Sequence, residues 1–185
     1  MTPQRTRLKA LCLSALLTAL LIICSMLSIP LGAERITLQL AAVLLIGGLL
    51  PTGYALLSLG AYLLLGAMGL PVFASFSGGF GVLLGATGGF LWGFIPAGLL
   101  FGLLYKRKKT FKNAFLSGIL PLLICYLCGC LQYLFFLPKE GGLFALVLFI
   151  LPCLLPDALK LLLVATVLPP LSKALSKGGF TADAE

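Results

Sequence analysis

The sequence contains no histidine, and only 10% of its 185 residues are charged, whereas 61% are hydrophobic. A soluble domain normally carries about a quarter charged residues and less than half apolar ones. This composition excludes a water-soluble fold, and the mean hydropathy of +1.16 favours a protein whose solvent is lipid. The absence of histidine also removes the side chain used most often as a catalytic base and as a metal ligand.

Acidic residues are scarce as well, at 5 against 13 lysines and arginines, which gives a net charge of +8. A basic balance often accompanies nucleic-acid binding. Here, however, the cations are grouped between hydrophobic runs and do not line one face. Membrane lipid is therefore the expected partner of this charge, and nucleic acid is not.

The 6 cysteines all lie within apolar runs, where a free thiol behaves as a small hydrophobic side chain. Cys125, Cys128 and Cys130 have a spacing that resembles a metal motif, but neither a histidine nor a second cluster accompanies them. We expect these thiols to pack, and we expect no bound metal and no cofactor.

Six apolar runs remain when the chain is divided at charges, prolines and glycine-rich turns. They cover residues 8–30, 38–51, 53–70, 81–105, 112–137 and 142–172. The first run is too long for a cleaved signal peptide. The second is short for the roughly 20 residues that a crossing needs, so it must be tilted or lie where the bilayer thins. The sequence predicts an all-α integral membrane protein, one domain over residues 1–185, with six transmembrane helices. Five spans are the main alternative.

The basic residues predict the orientation. Six spans place ten of the 13 lysines and arginines on one side, namely Arg5, Arg7, Lys9, Lys106, Arg107, Lys108, Lys109, Lys112, Lys173 and Lys177. Only Arg35 and Lys139 fall on the opposite side. Short loops rich in lysine and arginine stay in the cytoplasm. The terminal segments 1–7 and 173–185 are therefore predicted to be cytoplasmic, in a multi-pass protein of the cytoplasmic membrane. A five-span arrangement would misplace one basic loop.

The loops predicted to face the exterior are residues 31–38, 70–80 and 138–142. The second begins a glycine-rich stretch from Gly69 to Phe94. No lysine follows it as in a P-loop, and no strand precedes it, so we expect no ATP hydrolysis by this chain. A capping or re-entrant segment over an apolar ligand with a few polar groups is the better interpretation. The segment from Glu34 to Gln39, at the first loop, has two equally good interpretations, as part of a functional site or as a solvated turn.

Asp157 and Lys160 stand three residues apart in the last apolar run, so they share one helix face. A charge at that depth costs several kcal/mol unless it is paired or hydrated, and it marks a candidate functional site. An ion pair that only locks helices together is the alternative, although apolar residues can replace such a pair without loss. Pro152 and Pro156 free carbonyl groups nearby, which a cavity or a neighbouring helix must satisfy.

Several motifs occur in order along residues 8–171, and their combination is more specific than any one of them. They are Thr37-Leu-Gln39, Tyr62-Leu-Leu-Leu-Gly66-x-x-Gly-Leu-Pro-Val-Phe73, Ser77-Gly-Gly-x-Gly81, Gly85-x-Thr-Gly-Gly89 and Asp157-x-x-Lys160. Together they resemble BioY, the biotin-specific substrate-binding (S) subunit of energy-coupling factor (ECF) transporters. The resemblance implies a six-helix bundle of the S-component type. It also implies a biotin pocket near the outer face, closed by the loops after the first and third helices.

The same resemblance implies partners. Family members generally dock through small residues of the first helix onto a transmembrane coupling subunit, which two cytoplasmic ATPase subunits drive. Ala15 and Ala19 match that small-residue motif. ATP would then be hydrolysed by the partner subunits.

Biotin offers ureido N–H donors, a ureido carbonyl, an apolar sulfur ring and a carboxylate, and the chain has side chains to match. The predicted substrate-binding residues are Asp157, Lys160, Ser75, Gln39, Tyr62, Phe73, Phe90 and Trp92. An ionised Asp157 can accept from an N–H, and Lys160 can donate to a carbonyl or a carboxylate. Ser75 stands where some relatives have an amide side chain. The aromatic residues are candidates for the walls around the bicyclic ring.

Two other functions are compatible with the residues. Asp157 and Lys160 could act as the acid/base pair of an intramembrane enzyme, although such an enzyme needs a nucleophile or a metal nearby. The chain could also be a secondary carrier of another vitamin or of an ion, coupled through Asp157.

Overall fold

The structure is a computed structural model, and it describes residues 3–31, 34–106, 109–136 and 142–178. Its helices are α1 (Pro3–Met26), α2 (Gln39–Leu49), α3 (Thr52–Ala67), α4 (Phe80–Leu84), α5 (Gly88–Tyr105), α6 (Phe111–Phe136) and α7 (Gly142–Lys177). Two short strands, β1 (Ser28–Leu31) and β2 (Glu34–Thr37), lie between α1 and α2. A 3-10 turn, Ala74–Phe76, lies between α3 and α4.

Within these ranges, four helices are long and apolar enough to cross a membrane, namely α1, α5, α6 and α7. The two other apolar helices, α2 and α3, are shorter. At 1.5 Å per residue, α2 extends only about 16 Å, roughly half of the hydrocarbon thickness. The prediction of a helical membrane-type protein is confirmed. Six crossings and cytoplasmic termini stay predictions.

Two sequence-based boundaries are wrong. The first helix ends at Met26 and not at residue 30, because residues 28–37 form an antiparallel hairpin in which Ser28 pairs with Thr37. The run 81–105 is not one helix, because α4 ends at Leu84 and α5 begins at Gly88. The third outward loop lies almost wholly outside the described residues. Helix α7 continues to Lys177, so the start of the predicted C-terminal tail is helical.

The short helix α2 lies at the centre of the bundle, and every residue in it except Leu45 is buried. It packs closely against α5, since a Cβ atom on Gly47 would overlap the carbonyl oxygen of Gly98. Small residues at such a crossing let two backbones approach, which increases the packing that drives helix association in lipid. Although α2 is too short for an ordinary crossing, its burial among other helices explains why it is apolar on all sides.

The outer helices place the site. Helix α1 is joined to α3 by a hydrogen bond of 2.7 Å between the hydroxyl groups of Thr18 and Ser58. Helix α5 packs along α6, where Gly89 and Gly93 approach the α6 backbone at Cys128 and Cys125. These glycines therefore serve packing within the chain. The bundle leaves a cavity between α2, α5, α6 and α7.

Candidate functional site

The cavity has a volume of about 500 Å³, within the range of roughly 300 to 1,000 Å³ that is usual for small-molecule sites. Its walls come from β2, α2, the segment after α3, both parts of the broken α4–α5 helix, α6 and α7. Most of the lining is apolar. The polar and charged side chains among the lining residues are Thr37, Gln39, Ser77, Thr87, Tyr126, Asp157 and Lys160.

Asp157 and Lys160 lie on the cavity wall formed by α7, and each is 9% exposed. The Lys160 ammonium donates to one carboxylate oxygen of Asp157 over 2.6 Å. The two charges cancel, which lowers the cost of placing either one at this depth. Both side chains can form further hydrogen bonds, since a carboxylate can accept about four and an ammonium has three protons to donate. The pair can therefore bind a further donor and a further acceptor.

Tyr126 is a site residue that the sequence-based set omits. Its hydroxyl donates to the second carboxylate oxygen of Asp157 over 2.6 Å, from α6 to α7. This bond fixes the plane of the carboxylate and leaves the net charge of the site at zero. A tyrosine hydroxyl in an apolar span needs a partner, and that requirement was the signal that could have identified it.

Gln39 is held in a fixed orientation by two neighbours. Its side-chain carbonyl accepts from the Thr37 hydroxyl over 2.9 Å, and its amide nitrogen donates to the Tyr62 hydroxyl over 2.7 Å. Gln39 and Thr37 line the cavity, whereas Tyr62 is fully buried behind them and does not. Tyr62 also contacts the ring of Phe73 edge to face, with centroids 5.4 Å apart. Tyr62 thus supports two lining residues from behind.

Phe73 and Phe90 supply aromatic surface on two sides of the cavity. Phe73 is 1% exposed and precedes the 3-10 turn. Phe90 lies in the first turn of α5 and meets Tyr126 edge to face, with centroids 6.2 Å apart. The aromatic group on α5 therefore touches the residue that orients Asp157.

Trp92 and Ser75 lie away from the cavity. Trp92 follows Phe90 by two positions on α5, and residues two apart on a helix point to different faces. It is 44% exposed, and its indole nitrogen donates to the Leu83 carbonyl over 3.2 Å. The Ser75 hydroxyl is hydrogen-bonded to that of Ser28 over 3.0 Å, which links the 3-10 turn to the hairpin.

The cysteines are divided between packing and lining. Cys125 is buried, and both Cys125 and Cys153 border the cavity. In the described ranges, no group of three or more cysteine, aspartate and glutamate side chains is placed to hold a metal ion.

Comparison with known proteins gives concordant results. The sequence model of the BioY family matches residues 1–177. The chain is 37% identical over 116 residues to the biotin transporter BioY of Thermotoga maritima, covering 63% of this chain and 69% of that protein. It is 37% identical over 175 residues to the biotin transporter BioY2 of Lactococcus lactis subsp. cremoris, covering 94% of this chain and 95% of that protein.

A solved structure agrees with these relatives. The crystal structure of the S-component for biotin from an ECF-type ABC transporter matches with a TM-score of 0.80 and 28% identity, over 94% of this chain and 95% of that one. The agreement extends over almost the whole length of both chains. On this evidence, the chain belongs to the BioY family.

Proposed function

We propose that this protein captures biotin and serves as the S component of an ECF-type biotin transporter. Two relatives in the family are named biotin transporters, and the matching solved structure is the S-component for biotin. A member of this family is a transporter subunit and not an enzyme. The observation that carries the proposal is the neutral Asp157–Lys160 pair, which borders a cavity of about 500 Å³ and retains unused bonding capacity.

The charge balance of the site favours the ureido end of biotin for this pair. Asp157 and Lys160 already cancel, so a ligand carboxylate placed beside them would add an uncompensated negative charge to a buried site. The ureido group is neutral and offers both N–H donors and a carbonyl acceptor. We therefore place its N–H groups toward Asp157 and its carbonyl toward Lys160, with Phe73 and Phe90 beside the rings.

Thermal unfolding of the detergent-purified protein tests the ligand. A ligand that binds only the native state raises the melting temperature, by an amount that corresponds to about 2.7 kcal/mol at 100 times its Kd. Biotin should raise the melting temperature, and thiamine and riboflavin at the same concentration should not. An equal shift with all three vitamins, or no shift with biotin, would contradict the proposal.

Biotin methyl ester tests the orientation, because it keeps the ureido group and loses the carboxylate charge. We expect the ester to bind more weakly than biotin by no larger a factor in the wild-type protein than in the Lys160→Met variant. A loss confined to the wild type would show that Lys160 binds the carboxylate, and it would reverse the orientation.

The proposed coupling partners are a transmembrane subunit and two ATPase subunits. Ala15 and Ala19 lie one turn apart on the exposed side of α1, whereas Ser14 and Thr18 face the bundle. Small exposed residues on a lipid-facing helix allow another helix to approach closely. This exposed side of α1 is the proposed docking surface.

Bulky substitutions separate capture from coupling. Replacing Ala15 and Ala19 by tryptophan should abolish biotin uptake in cells while leaving biotin binding by the purified protein unchanged. Leu116→Trp, at a position on α6 that is 65% exposed, is the matched control and should affect neither. Uptake that persists in cells without any coupling ATPase, and collapses with the proton gradient, would favour a secondary carrier.

The proposed topology has six spans with both termini in the cytoplasm. It is supported by the ten cations that six spans place on one side. The hydrogen bond of 2.8 Å from Lys9 in α1 to the Gly178 carbonyl after α7 brings the two ends of the described chain together. A reporter domain that works only in the cytoplasm should give a signal when it is fused to either terminus. A periplasmic or extracellular signal from one of them would exclude an even number of spans.

A further inference from the structure

The interruption between α4 and α5 forms part of the cavity wall. Val82 in α4 and Gly85 and Thr87 in the break all line the cavity. Irregular backbone at membrane depth is tolerated only where protein groups or water satisfy its polar atoms. The break therefore needs hydrogen-bond partners from elsewhere in the chain.

A continuous helix would supply those partners itself. In a regular α-helix the N–H of residue i+4 donates to the carbonyl of residue i. The Leu83 carbonyl would then accept from Thr87, and the Gly85 carbonyl from Gly89. In the structure the Gly88 amide instead donates to Gly85, and the Phe90 amide to Thr87, which tightens the start of α5.

Gln132 of α6 donates hydrogen bonds to the Leu83 and Gly85 carbonyls in place of these helical partners. Its side-chain nitrogen donates to the Leu83 carbonyl over 2.9 Å and to the Gly85 carbonyl over 2.7 Å. A side-chain amide has two protons, so one glutamine can satisfy both acceptors. The Trp92 indole donates to the Leu83 carbonyl as well.

Glycines in α5 make room for this side chain. A Cβ atom on Gly88 would stand 2.7 Å from the amide nitrogen of Gln132, and one on Gly89 would stand 2.8 Å from its Cβ. Real Cβ atoms do not approach other heavy atoms so closely. The same Cβ atoms would overlap the backbone carbonyls of Leu83 and Cys128 even more, so neither position accepts a larger residue in this arrangement. The start of α5 and the glutamine of α6 therefore fit each other.

We propose that Gln132 is a positioning residue for substrate. Its amide keeps the α4–α5 helix interrupted, and the interrupted backbone holds Val82, Gly85 and Thr87 in the cavity wall. The inference rests on the proposed binding of biotin in this cavity. Without the amide, the Leu83 carbonyl keeps only the Trp92 indole as a donor among the described residues, and the Gly85 carbonyl keeps only the Gly88 amide. The break then loses its connection to α6, and the wall loses the shape that fits the ligand.

Calorimetric titration of the full-length protein in detergent with biotin tests the role. Gln132→Met keeps the length of the side chain and removes both donors, and it should weaken the Kd by about tenfold or more. Leu131→Met, at a neighbouring α6 position that is 54% exposed, is the matched control and should leave the Kd unchanged. Trp92→Phe removes only the second donor to Leu83 and should change the Kd by less than threefold.

The binding stoichiometry separates positioning from general stability. A merely structural glutamine would lower the fraction of protein that binds, with an unchanged Kd for the rest. We expect the reverse, a weaker Kd at a stoichiometry close to that of the wild type. A Gln132→Met Kd within threefold of wild type, at any stoichiometry, would overturn the inference.

If Gln132→Met yields no folded protein, Gln132→Glu decides the question. It keeps the shape of the side chain and offers at most one proton, so its affinity should fall. A wild-type Kd in Gln132→Glu would overturn the inference. Wild-type protein that fails to bind biotin would refute the proposed function itself, so the two failures are distinguishable.

Discussion

Two walls of the cavity are built in different ways. On α7 the proposed binding groups are local, because Asp157 and Lys160 lie one turn apart on a single helix and bind each other. On the α4–α5 wall the shape depends on distant groups, since Gln132 reaches from α6 to backbone carbonyls 47 and 49 positions away. The chemical groups of the α7 wall are therefore local in sequence, whereas the shape of the α4–α5 wall depends on tertiary contacts. Substitutions on α7 should therefore alter binding chemistry, and substitutions on the other wall should alter fit.

The largest effect is expected on the α7 wall. Asp157→Asn leaves the Lys160 ammonium buried without its counter-charge, and breaking a buried pair in this way costs about 3 to 5 kcal/mol. That cost lowers the stability of the fold. Asp157→Asn also removes the charged acceptor of the proposed bonds from the two ureido N–H groups, and each hydrogen bond to a charged group contributes about 1.5 to 3 kcal/mol. Biotin affinity should therefore fall by at least about 100-fold, since each 1.4 kcal/mol is a factor of ten. Equilibrium binding of radiolabelled biotin measures the loss.

A paired substitution separates binding chemistry from folding. Adding Lys160→Met to Asp157→Asn removes the unpaired ammonium, so the melting temperature should recover while biotin binding does not. Wild-type affinity in the double variant would mean that the pair is structural, and it would remove the distinction between the two walls.

An intermediate effect is expected where α6 meets α7. Tyr126→Phe removes the donor to Asp157 without changing the ring that meets Phe90. A hydrogen bond to a charged group contributes about 1.5 to 3 kcal/mol, so biotin affinity should fall by about tenfold or more. Calorimetric titration measures this change. Unchanged affinity would show that α7 orients its carboxylate alone.

The smallest effect is expected outside both walls, where the hairpin meets the 3-10 turn. Ser28→Ala removes an exposed hydrogen bond of 3.0 Å between the hairpin and Ser75. Exposed neutral bonds contribute little, so biotin should dissociate only about threefold faster, with its association rate unchanged. Stopped-flow displacement measures the dissociation rate. Ser176→Ala, which removes a serine hydrogen bond near the end of α7, is the control and should change nothing.

The placement of Asp157 and Lys160 on one face of α7 could be predicted because the signals are local. Charge scarcity made Asp157 and Lys160 conspicuous, and their spacing alone placed them on one face. The length of the apolar runs also predicted α6 to within a residue at each end. Helical periodicity could have shown that Phe90 and Trp92 do not both line the cavity, because residues two apart on a helix point to different faces.

The other wall could not be predicted in this way. The apolar run 81–105 indicates one helix, and nothing local shows that a glutamine 47 residues after Gly85 would bind its carbonyl. The hairpin could not be predicted for a related reason. Its two strands are short, and residues 28–37 mix apolar, polar and charged side chains. A glutamine within an apolar span was nevertheless a signal, because its amide needs partners at that depth.

A structure of the protein with biotin bound is the decisive measurement. Biotin should lie in the cavity between α2, α5, α6 and α7, with its ureido group within hydrogen-bond distance of Asp157 and Lys160. Biotin bound elsewhere, or bound here with Asp157 and Lys160 still paired only to each other and to Tyr126, would contradict the proposed mode of binding.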